Sequence, residues 1–292
     1  MTPLYPLDRV HAEAIPHPEL ISDEHVRQFR MRGFIACDGV FPAERVTSAK
    51  NAIRDLIGRG DPPFPHLDLE KVTDAQQASG PGREDYVRKL WSFVDADTRL
   101  KAMADDPTLL AILERLVGST VALFQDMAML KPPRVGREKP WHQDMAYFRL
   151  DSPDRVIGAW IALDQATPEN GCMHAVPGSH LQGPQPHYHD RDCQLPDDVI
   201  ALNRSVVVPL RPGGAMFFHS LLHHGTPPNT SDSRRWALQF HYAATNCQRV
   251  SLEEHARLYH DSAGYAGCYP TRPIDTRPPV AKASGNAGQQ AQ

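Results

Sequence analysis

Two residues of metal-binding type, His142 and Asp144, stand one residue apart, and this pair constrains the fold more than any other feature of the chain. The segments around it, 122–130 and 156–163, are rich in the apolar and β-branched residues of strands and are bounded by turn residues. Alternate side chains of an extended strand share a face, so both side chains would point the same way and could bind one metal ion. The pair therefore predicts a metal site within a β-sheet.

A second His-x-Asp sequence shows that the motif is weak evidence when it is taken alone. His66 and Asp68 have the same spacing, but they follow a Pro-rich stretch, 61–65, that is typical of a loop. The strand context therefore favours His142 and Asp144 as the metal-binding pair.

A third ligand has to come from a histidine that is distant in the sequence. Four histidines are candidates: His219, His223, His224 and His241. His223 and His224 are adjacent, so only one of them can enter the site from a strand, and alternation alone does not say which. Two imidazoles and one carboxylate on one face of an octahedron suit non-haem Fe(II), because three positions stay open for a co-substrate and O2.

An arginine pair, Arg234 and Arg235, follows the distal histidines after a turn rich in Pro, Asn and Ser. The order strand, turn, strand would return an arginine beside the histidine. If a 2-oxo acid occupies the open metal positions, its far carboxylate needs a cation, and a guanidinium can bind it with two parallel hydrogen bonds. The two arginines alternate faces, so one of them is expected to be solvated.

Several of these segments together resemble the phytanoyl-CoA dioxygenase family of Fe(II)- and 2-oxoglutarate-dependent oxygenases. The resemblance covers roughly residues 20–245 and is carried by these segments: 131–133, 141–148, 170–180, and 224–229 with Arg235. It implies that His142, Asp144 and His224 bind the metal. It also implies that Arg235, eleven residues after His224, binds 2-oxoglutarate.

Other pocket residues are expected with less specific support. The resemblance implies four more contacts to 2-oxoglutarate: Thr226, Trp160, Met127 and Lys89. Of these, Trp160 and Met127 could equally be ordinary core residues. Three residues are expected to face the substrate, two just beyond the metal-binding pair and one on a core strand: Tyr147, Phe148 and His174.

The chain as a whole is predicted to have an α+β fold with a mainly β core. Residues 119–245 contain short strands separated by turns, as in a jelly roll, and the resemblance implies the cupin-like double-stranded β-helix. Helices in the N-terminal segment, 20–118, would brace this core from outside. Residues 1–280 are expected to form one oxygenase domain, and 281–292 are expected to be a disordered tail.

A long excursion between strands, 181–204, is interpreted as a lid over the site. His187 and His189 lie in it and are expected to be solvated loop histidines rather than metal ligands.

The net charge and the spacing of the cysteines argue against several other classes of protein. The net charge is −4, with 31 Lys+Arg and 35 Asp+Glu, and no long cationic run suggests nucleic acid or a membrane as a partner. Five cysteines without a Cys-x-x-Cys pair argue against a disulfide framework or a zinc ribbon. The N-terminus lacks the layout of a secretory signal, which favours a reducing cytoplasm that keeps iron ferrous.

The sequence therefore predicts a dioxygenase that hydroxylates an unactivated C–H bond of a small metabolite or natural-product intermediate and releases succinate and CO2. A non-catalytic protein that senses 2-oxoglutarate or binds a metal is the alternative, and succinate release without substrate would separate the two. A related halogenase is disfavoured, because such an enzyme needs a small residue in place of the Asp144 carboxylate.

Overall fold

Two antiparallel sheets form the centre of the computed structural model, which describes residues 3–71 and 83–259. The strands are β1 Phe34–Cys37, β2 Leu67–Leu69, β3 Val87–Trp91, β4 Val121–Lys131, β5 Lys139–His142, β6 Val156–Ala162, β7 Met173–Ala175, β8 Tyr188–His189, β9 Cys193–Gln194, β10 Val206–Val208, β11 Ala215–His219, β12 His224–Thr226 and β13 Arg235–Ala244. The helices are α1 Asp23–Arg32, α2 Ala43–Ile57, α3 Thr98–Ala104, α4 Pro107–Val117 and α5 Leu252–Tyr259.

The strand order gives the predicted jelly roll. The large sheet runs β1-β11-β6-β13-β4-β3-β2, the smaller sheet runs β10-β7-β12-β5, and β8 pairs with β9 outside both. Strands that are distant along the chain become neighbours, since β13 lies between β4 and β6. The double-stranded β-helix with a mainly β core is confirmed.

Strand β6 shows why the large sheet is apolar on both faces. All seven of its residues are buried. Ile157, Ala159 and Ile161 pack into the core beneath the helices, while Trp160 and Ala162 pack into the core between the two sheets. Because side chains alternate along the strand, β6 contributes to two separate hydrophobic cores, one on each face of the sheet.

Helices from the N-terminal segment cover the outer face of the large sheet. The Asp106 side chain accepts hydrogen bonds from the backbone N–H groups of Thr108 and Leu109 and so begins α4. Gly33, with a φ of 83°, ends α1 in a left-handed conformation that glycine adopts without strain. The predicted bracing by helices is therefore present.

Two local expectations differ from the structure. Leu67–Leu69, in the second His-x-Asp sequence, is the edge strand β2 paired with β3 and not a loop. His187 is buried, because its Nε2 accepts a hydrogen bond from the Gln143 backbone N–H and its ring packs at an angle against Tyr259. His189 is exposed, as expected.

Parts of the chain fall outside the described residues. The tail 281–292, Cys268 and residues 72–82 are among them, so the expected disorder of the tail stays a prediction. Among the helices that the structure describes, none is long and apolar enough to span a membrane.

Candidate metal centre and co-substrate pocket

Three buried side chains converge between the two sheets. The His142 Nε2 atom lies 3.2 Å from the Asp144 Oδ1 atom, and the His224 Nε2 atom lies 3.5 Å from the same oxygen. One ligand atom from each residue falls within 4.8 Å of the other two, the spacing of a single metal site. In the described part of the chain, this is the one cluster of three such groups.

Local backbone structure aims the three side chains at one point. His142 ends β5 and pairs in register with His224, the first residue of β12. Asp144 is not in the strand but begins a short 3-10 turn. The intervening Gln143 keeps an extended conformation, φ −110° and ψ 131°, so the alternation that places both side chains on one face continues past the strand.

Each histidine of the cluster is fixed by the same kind of hydrogen bond. The His142 Nδ1–H group donates to the Pro140 carbonyl at 2.8 Å, and the His224 Nδ1–H group donates to the Leu222 carbonyl at 2.9 Å. Both Nε2 atoms are thereby left as acceptors, which is the tautomer that binds a metal. Burial, reinforced by the nearby His224, lowers the pKa of His142 to about 4, so this imidazole is neutral at physiological pH.

The Asp144 carboxylate is also held by a hydrogen bond on the side away from the cluster. Its second oxygen, Asp144 Oδ2, lies 2.8 Å from the His241 Nε2 atom, and the Gln239 amide lies 3.0 Å from that nitrogen. Burial alone would raise the pKa of Asp144, but His224 and His241 outweigh it and keep this pKa well below its ordinary value. His241 therefore supports a ligand and does not belong to the cluster.

The other two candidate histidines lie elsewhere. His219 contacts the Asp154 carboxylate at 3.2 Å, away from the cluster. His223 precedes β12, and its buried Nε2 atom has no partner among the described residues. His224 is thus the distal histidine that joins His142 and Asp144.

Arg235 lines the same cavity as the metal cluster. Its guanidinium is 1% exposed and donates one hydrogen bond, from Nη1 to the Met129 carbonyl at 3.0 Å. The Arg235 Nε and Thr226 Oγ1 atoms are buried without a partner in the described chain. Burial lowers the pKa of Arg235 to about 9, which leaves the group positively charged at neutral pH. A guanidinium N–H group and a hydroxyl that find no partner within the described residues suit a carboxylate.

Arg234 points away from the cavity that Arg235 lines. Its guanidinium contacts the Glu84 carboxylate at 2.9 Å and the Asp85 carboxylate at 3.8 Å. The alternation expected of the arginine pair is therefore observed, with Arg235 as the inward residue.

Nearly all residues expected at the site line this one cavity. They are His142, Asp144, His224, Arg235, Thr226, Trp160, Met127, Lys89, Tyr147 and Phe148. Trp160 also stacks on the guanidinium, with the Arg235 Cζ atom 5.2 Å from its ring centre. Placement in the cavity is compatible with their expected roles, which remain proposals.

His174 is the exception and requires a correction. On β7 it is Met173 that lines the cavity, so the next side chain faces away from it. The His174 ring packs against Tyr5 at 5.4 Å and Trp141 at 6.4 Å, on the other side of the small sheet. The structure therefore does not bring His174 to the expected substrate site.

Sequence reasoning missed several residues of the cavity wall. Gln125 and Met129 lie two residues to either side of Met127 on β4, and Gln239 lies four residues after Arg235 on β13. Residues an even number of positions apart share one face of a strand, so the alternation rule would have found all three. Lys139 does not follow this rule. Thr226 pairs with Lys139 while His224 pairs with His142, so β5 carries one extra residue, a β-bulge. Its signal in the sequence is Pro140, because a proline within a strand is confined to edge strands and bulges.

Known proteins share both the sequence and the fold. The phytanoyl-CoA dioxygenase (PhyH) family profile matches residues 29–237. Peroxisomal phytanoyl-CoA dioxygenase of Homo sapiens is 24% identical over 240 residues, which cover 79% of this chain and 70% of the human protein.

Two solved structures illustrate the likeness in fold. The non-haem α-ketoglutarate-dependent carbocyclase SnoK from nogalamycin biosynthesis superposes with a TM-score of 0.63 at 24% identity, covering 90% of this chain and 96% of that one. EvdO2 from Micromonospora carbonacea var. aurantiaca, complexed with 2-oxoglutarate, gives a TM-score of 0.60 at 26% identity, covering 80% of this chain and 94% of that one.

Proposed function

Because the chain belongs to the phytanoyl-CoA dioxygenase family of Fe(II)- and 2-oxoglutarate-dependent oxygenases, we propose that it hydroxylates an unactivated C–H bond of a small molecule with release of succinate and CO2. The observation that carries this proposal is one cavity lined both by the His-Asp-His cluster and by a buried arginine. A metabolite or natural-product intermediate is the expected kind of substrate.

His142, Asp144 and His224 would hold the Fe(II). The chemistry of these donors fits that ion, because two neutral imidazoles and one carboxylate leave three coordination positions open. The protein uses the remaining polar atoms of the three side chains for its own hydrogen bonds, which supports a role for the inward-facing atoms alone. The expected metal stoichiometry is one ion per chain.

Arg235 and Thr226 would bind the far carboxylate of 2-oxoglutarate. The unpartnered Arg235 Nε and Thr226 Oγ1 atoms support this assignment, since burying them without a ligand costs free energy. Trp160 and Met127 would shape the sides of the pocket, and Lys89 is a further candidate contact on the β3 side.

The residues of this chain position the reactants and keep water out. Bound Fe(II), with 2-oxoglutarate and O2, supplies the oxidising chemistry that the amino acids themselves lack. His241 holds the carboxylate of Asp144 so that one oxygen faces the metal site. Met129 and Met173 contribute apolar side chains to the wall of the cavity, which would limit the access of bulk water during the reaction. Tyr147 and Phe148 are proposed to contact the substrate.

The name of the family does not identify the substrate of this protein. An acyl-CoA carries several phosphate charges, whereas three described cations line the cavity, Lys89, Lys139 and Arg235, and Arg235 is assigned to 2-oxoglutarate. A smaller molecule with at most a few charges suits the cavity better.

Anaerobic titration with Fe(II) and 2-oxoglutarate tests the proposal, followed by admission of O2 and measurement of succinate. Asp144→Ala should abolish metal binding and succinate release, whereas Asp68→Ala, in the other His-x-Asp sequence, should leave both unchanged. Binding of both ligands without any succinate, even when candidate substrates are added, would instead identify a sensor protein.

A further inference from the structure

The segment that precedes α1 crosses the outer face of the small sheet. The Ala12 N–H group donates to the Val207 carbonyl on β10 at 2.8 Å, and the Tyr5 hydroxyl donates to the Lys139 carbonyl on β5 at 2.9 Å. β10 and β5 are the two edge strands of that sheet. Residues 4–15 therefore reach from one edge of the sheet to the other, and we call them the N-terminal strap.

Within the strap, Tyr5 contacts three of the four strands of the small sheet. Its ring stacks on Trp141 of β5, with 5.5 Å between the ring centres and 6° between the planes, and it meets the ring of His174 on β7 edge-on at 5.4 Å. The Trp141 Nε1–H group donates to the Leu4 carbonyl at 2.9 Å. A β-carbon at Gly225 of β12 would lie only 2.9 Å from the Tyr5 hydroxyl, so β12 has a glycine where the tyrosine covers it.

The residues that Tyr5 covers are direct neighbours of the metal ligands. Trp141 precedes His142 on β5, and Gly225 follows His224 on β12. Neighbouring side chains on a strand point to opposite faces, so Trp141 faces the strap and His142 faces the cavity. A contact that fixes the outer face of these two strands therefore also fixes the ligands on the inner face.

Strand β5 needs this support because its own pairing is weak. It is an edge strand of four residues, Pro140 within it has no N–H group, and a bulge interrupts its register with β12. On its other side, the Leu195 N–H group donates to the Trp141 carbonyl at 2.8 Å. The strap adds the hydrogen bonds of Tyr5 and Leu4 and the aromatic stack on Trp141. His142 is the last residue of this strand and depends on its position.

We propose that Tyr5 is a positioning residue for the metal centre. The N-terminal strap fixes β5 against β12 and so keeps the His142 ring beside the His224 ring, with 4.2 Å between the ring centres. Tyr5 lies on the face of the sheet opposite the cavity and acts through Trp141 and the Lys139 carbonyl. This inference rests on the metal centre of the proposed function.

The test is a Co(II) titration of the full chain, followed by visible absorption at a temperature at which circular dichroism shows each variant to be folded. Tyr5→Ala removes the hydroxyl bond and the stack, and it should lower Co(II) affinity by about tenfold or more, as losses of contacts that orient a metal ligand do. Tyr5→Phe keeps the stack, so its affinity should fall by only about two- to tenfold, the effect of one neutral hydrogen bond.

Two further measurements separate positioning from a purely structural role. The absorption bands of bound Co(II) should change in Tyr5→Ala, because His142 would meet the ion at a different angle. Ile15→Ala is the matched control, since Ile15 is a buried strap residue whose N–H group donates to the Ala36 carbonyl on β1 at 2.8 Å. It should lower the free energy of unfolding of the metal-free protein but leave Co(II) affinity and the absorption bands unchanged.

The inference is overturned if Tyr5→Ala binds Co(II) with the affinity and the absorption bands of wild type. It is also overturned if Ile15→Ala loses as much affinity as Tyr5→Ala, because the strap would then brace the whole fold. If Tyr5→Ala does not fold, Tyr5→Phe decides, with reduced affinity supporting the inference and unchanged affinity overturning it. A wild-type chain that binds no Co(II) would contradict the proposed function itself, whereas tight binding by wild type and both Tyr5 variants would contradict this inference alone.

Discussion

The His241 Nε2 atom lies 2.8 Å from the Asp144 Oδ2 atom, on the side of the carboxylate away from His142 and His224. Both partners are buried, so the contact is shielded from water and from salt. It leaves the Oδ1 atom alone to face the two histidines, and it fixes the plane of the carboxylate. A residue on the large sheet thereby orients a metal ligand that follows the small sheet.

His241→Ala should therefore weaken metal binding without removing a ligand. Loss of a hydrogen bond of this kind typically lowers metal affinity by about 10- to 100-fold, and a Co(II) titration would measure it. His219→Ala is a matched control, because His219 also contacts a carboxylate, that of Asp154, but away from the cavity. Equal metal affinity in wild type and His241→Ala would show that Asp144 is held without this contact.

Arg235→Lys should lower the affinity for 2-oxoglutarate while metal binding is retained. Lysine keeps the charge but cannot form two parallel hydrogen bonds, so we expect a loss of about tenfold or more, roughly 1.5 to 3 kcal/mol. Isothermal titration of the metal-loaded protein would measure it. Arg234→Lys should have little effect, since Arg234 pairs with Glu84 outside the cavity. Equal losses in both variants would contradict the assignment of Arg235 to the pocket.

The sequence predicted the parts of the site that depend on strand alternation. Two assignments that alternation alone left open, His223 against His224 and Arg234 against Arg235, were resolved by the resemblance to the family. The structure places His224 in the cluster and Arg235 in the cavity. His224 is in register with Ala175 of β7, and Arg235 is in register with Lys131 of β4, so the direction of each side chain follows from the register.

Features that depend on contacts between distant segments were not predictable in this way. Lys139 reaches the cavity through a bulge, and His187 is buried because a long excursion folds back onto Gln143. His174 was expected to face the substrate, but Met173 takes the inward position and Tyr5, from the N-terminal segment, covers the histidine. Local periodicity carries no information about such partners.

His174 should make the protein sensitive to acid. Burial, and to a smaller extent Lys131, lowers its pKa to about 4, and neither ring nitrogen has a partner among the described residues. In the unfolded chain the imidazole of His174 has the ordinary histidine pKa of about 6.5, so it binds a proton more readily than it does in the folded state. The contribution of His174 to stability is therefore complete above about pH 6.5 and is lost as the pH falls toward 4.

His174→Phe should reduce this acid sensitivity. Between pH 7 and pH 5 the free energy of unfolding should fall by roughly 2 kcal/mol less than in wild type, measured by chemical denaturation of the metal-free protein. An unchanged pH dependence in His174→Phe would mean that folding does not lower the pKa of this imidazole.

Gln143, the residue between the two metal-binding side chains, joins three segments of the site. Its Nε2–H groups donate to the Gly183 and Leu221 carbonyls at 2.9 and 3.0 Å, and its Oε1 atom accepts from the Gln185 N–H group at 2.9 Å. Its own backbone N–H group donates to the His187 Nε2 atom at 3.0 Å. The excursion that begins at residue 181 is thus attached to the metal-binding pair and to the turn before the distal histidine.

Gln143→Glu keeps the shape of this side chain but replaces two donors with a carboxylate oxygen that faces two carbonyls. Each buried hydrogen bond lost should cost about 1 to 3 kcal/mol, and the chain between residues 183 and 199 should detach before the sheets unfold. Limited proteolysis of the metal-free protein should therefore cleave this segment faster than in wild type. Metal affinity should fall as well, because His142 and Asp144 flank the altered residue. Gln182→Glu makes the same change at an exposed position and should leave both measurements unchanged. Gln143→Glu could instead resist proteolysis as wild type does. The segment after residue 181 would then be held by its other contacts, such as the ion pair of Lys139 with Asp192. Gln143 would serve only to fill the space between the two metal ligands.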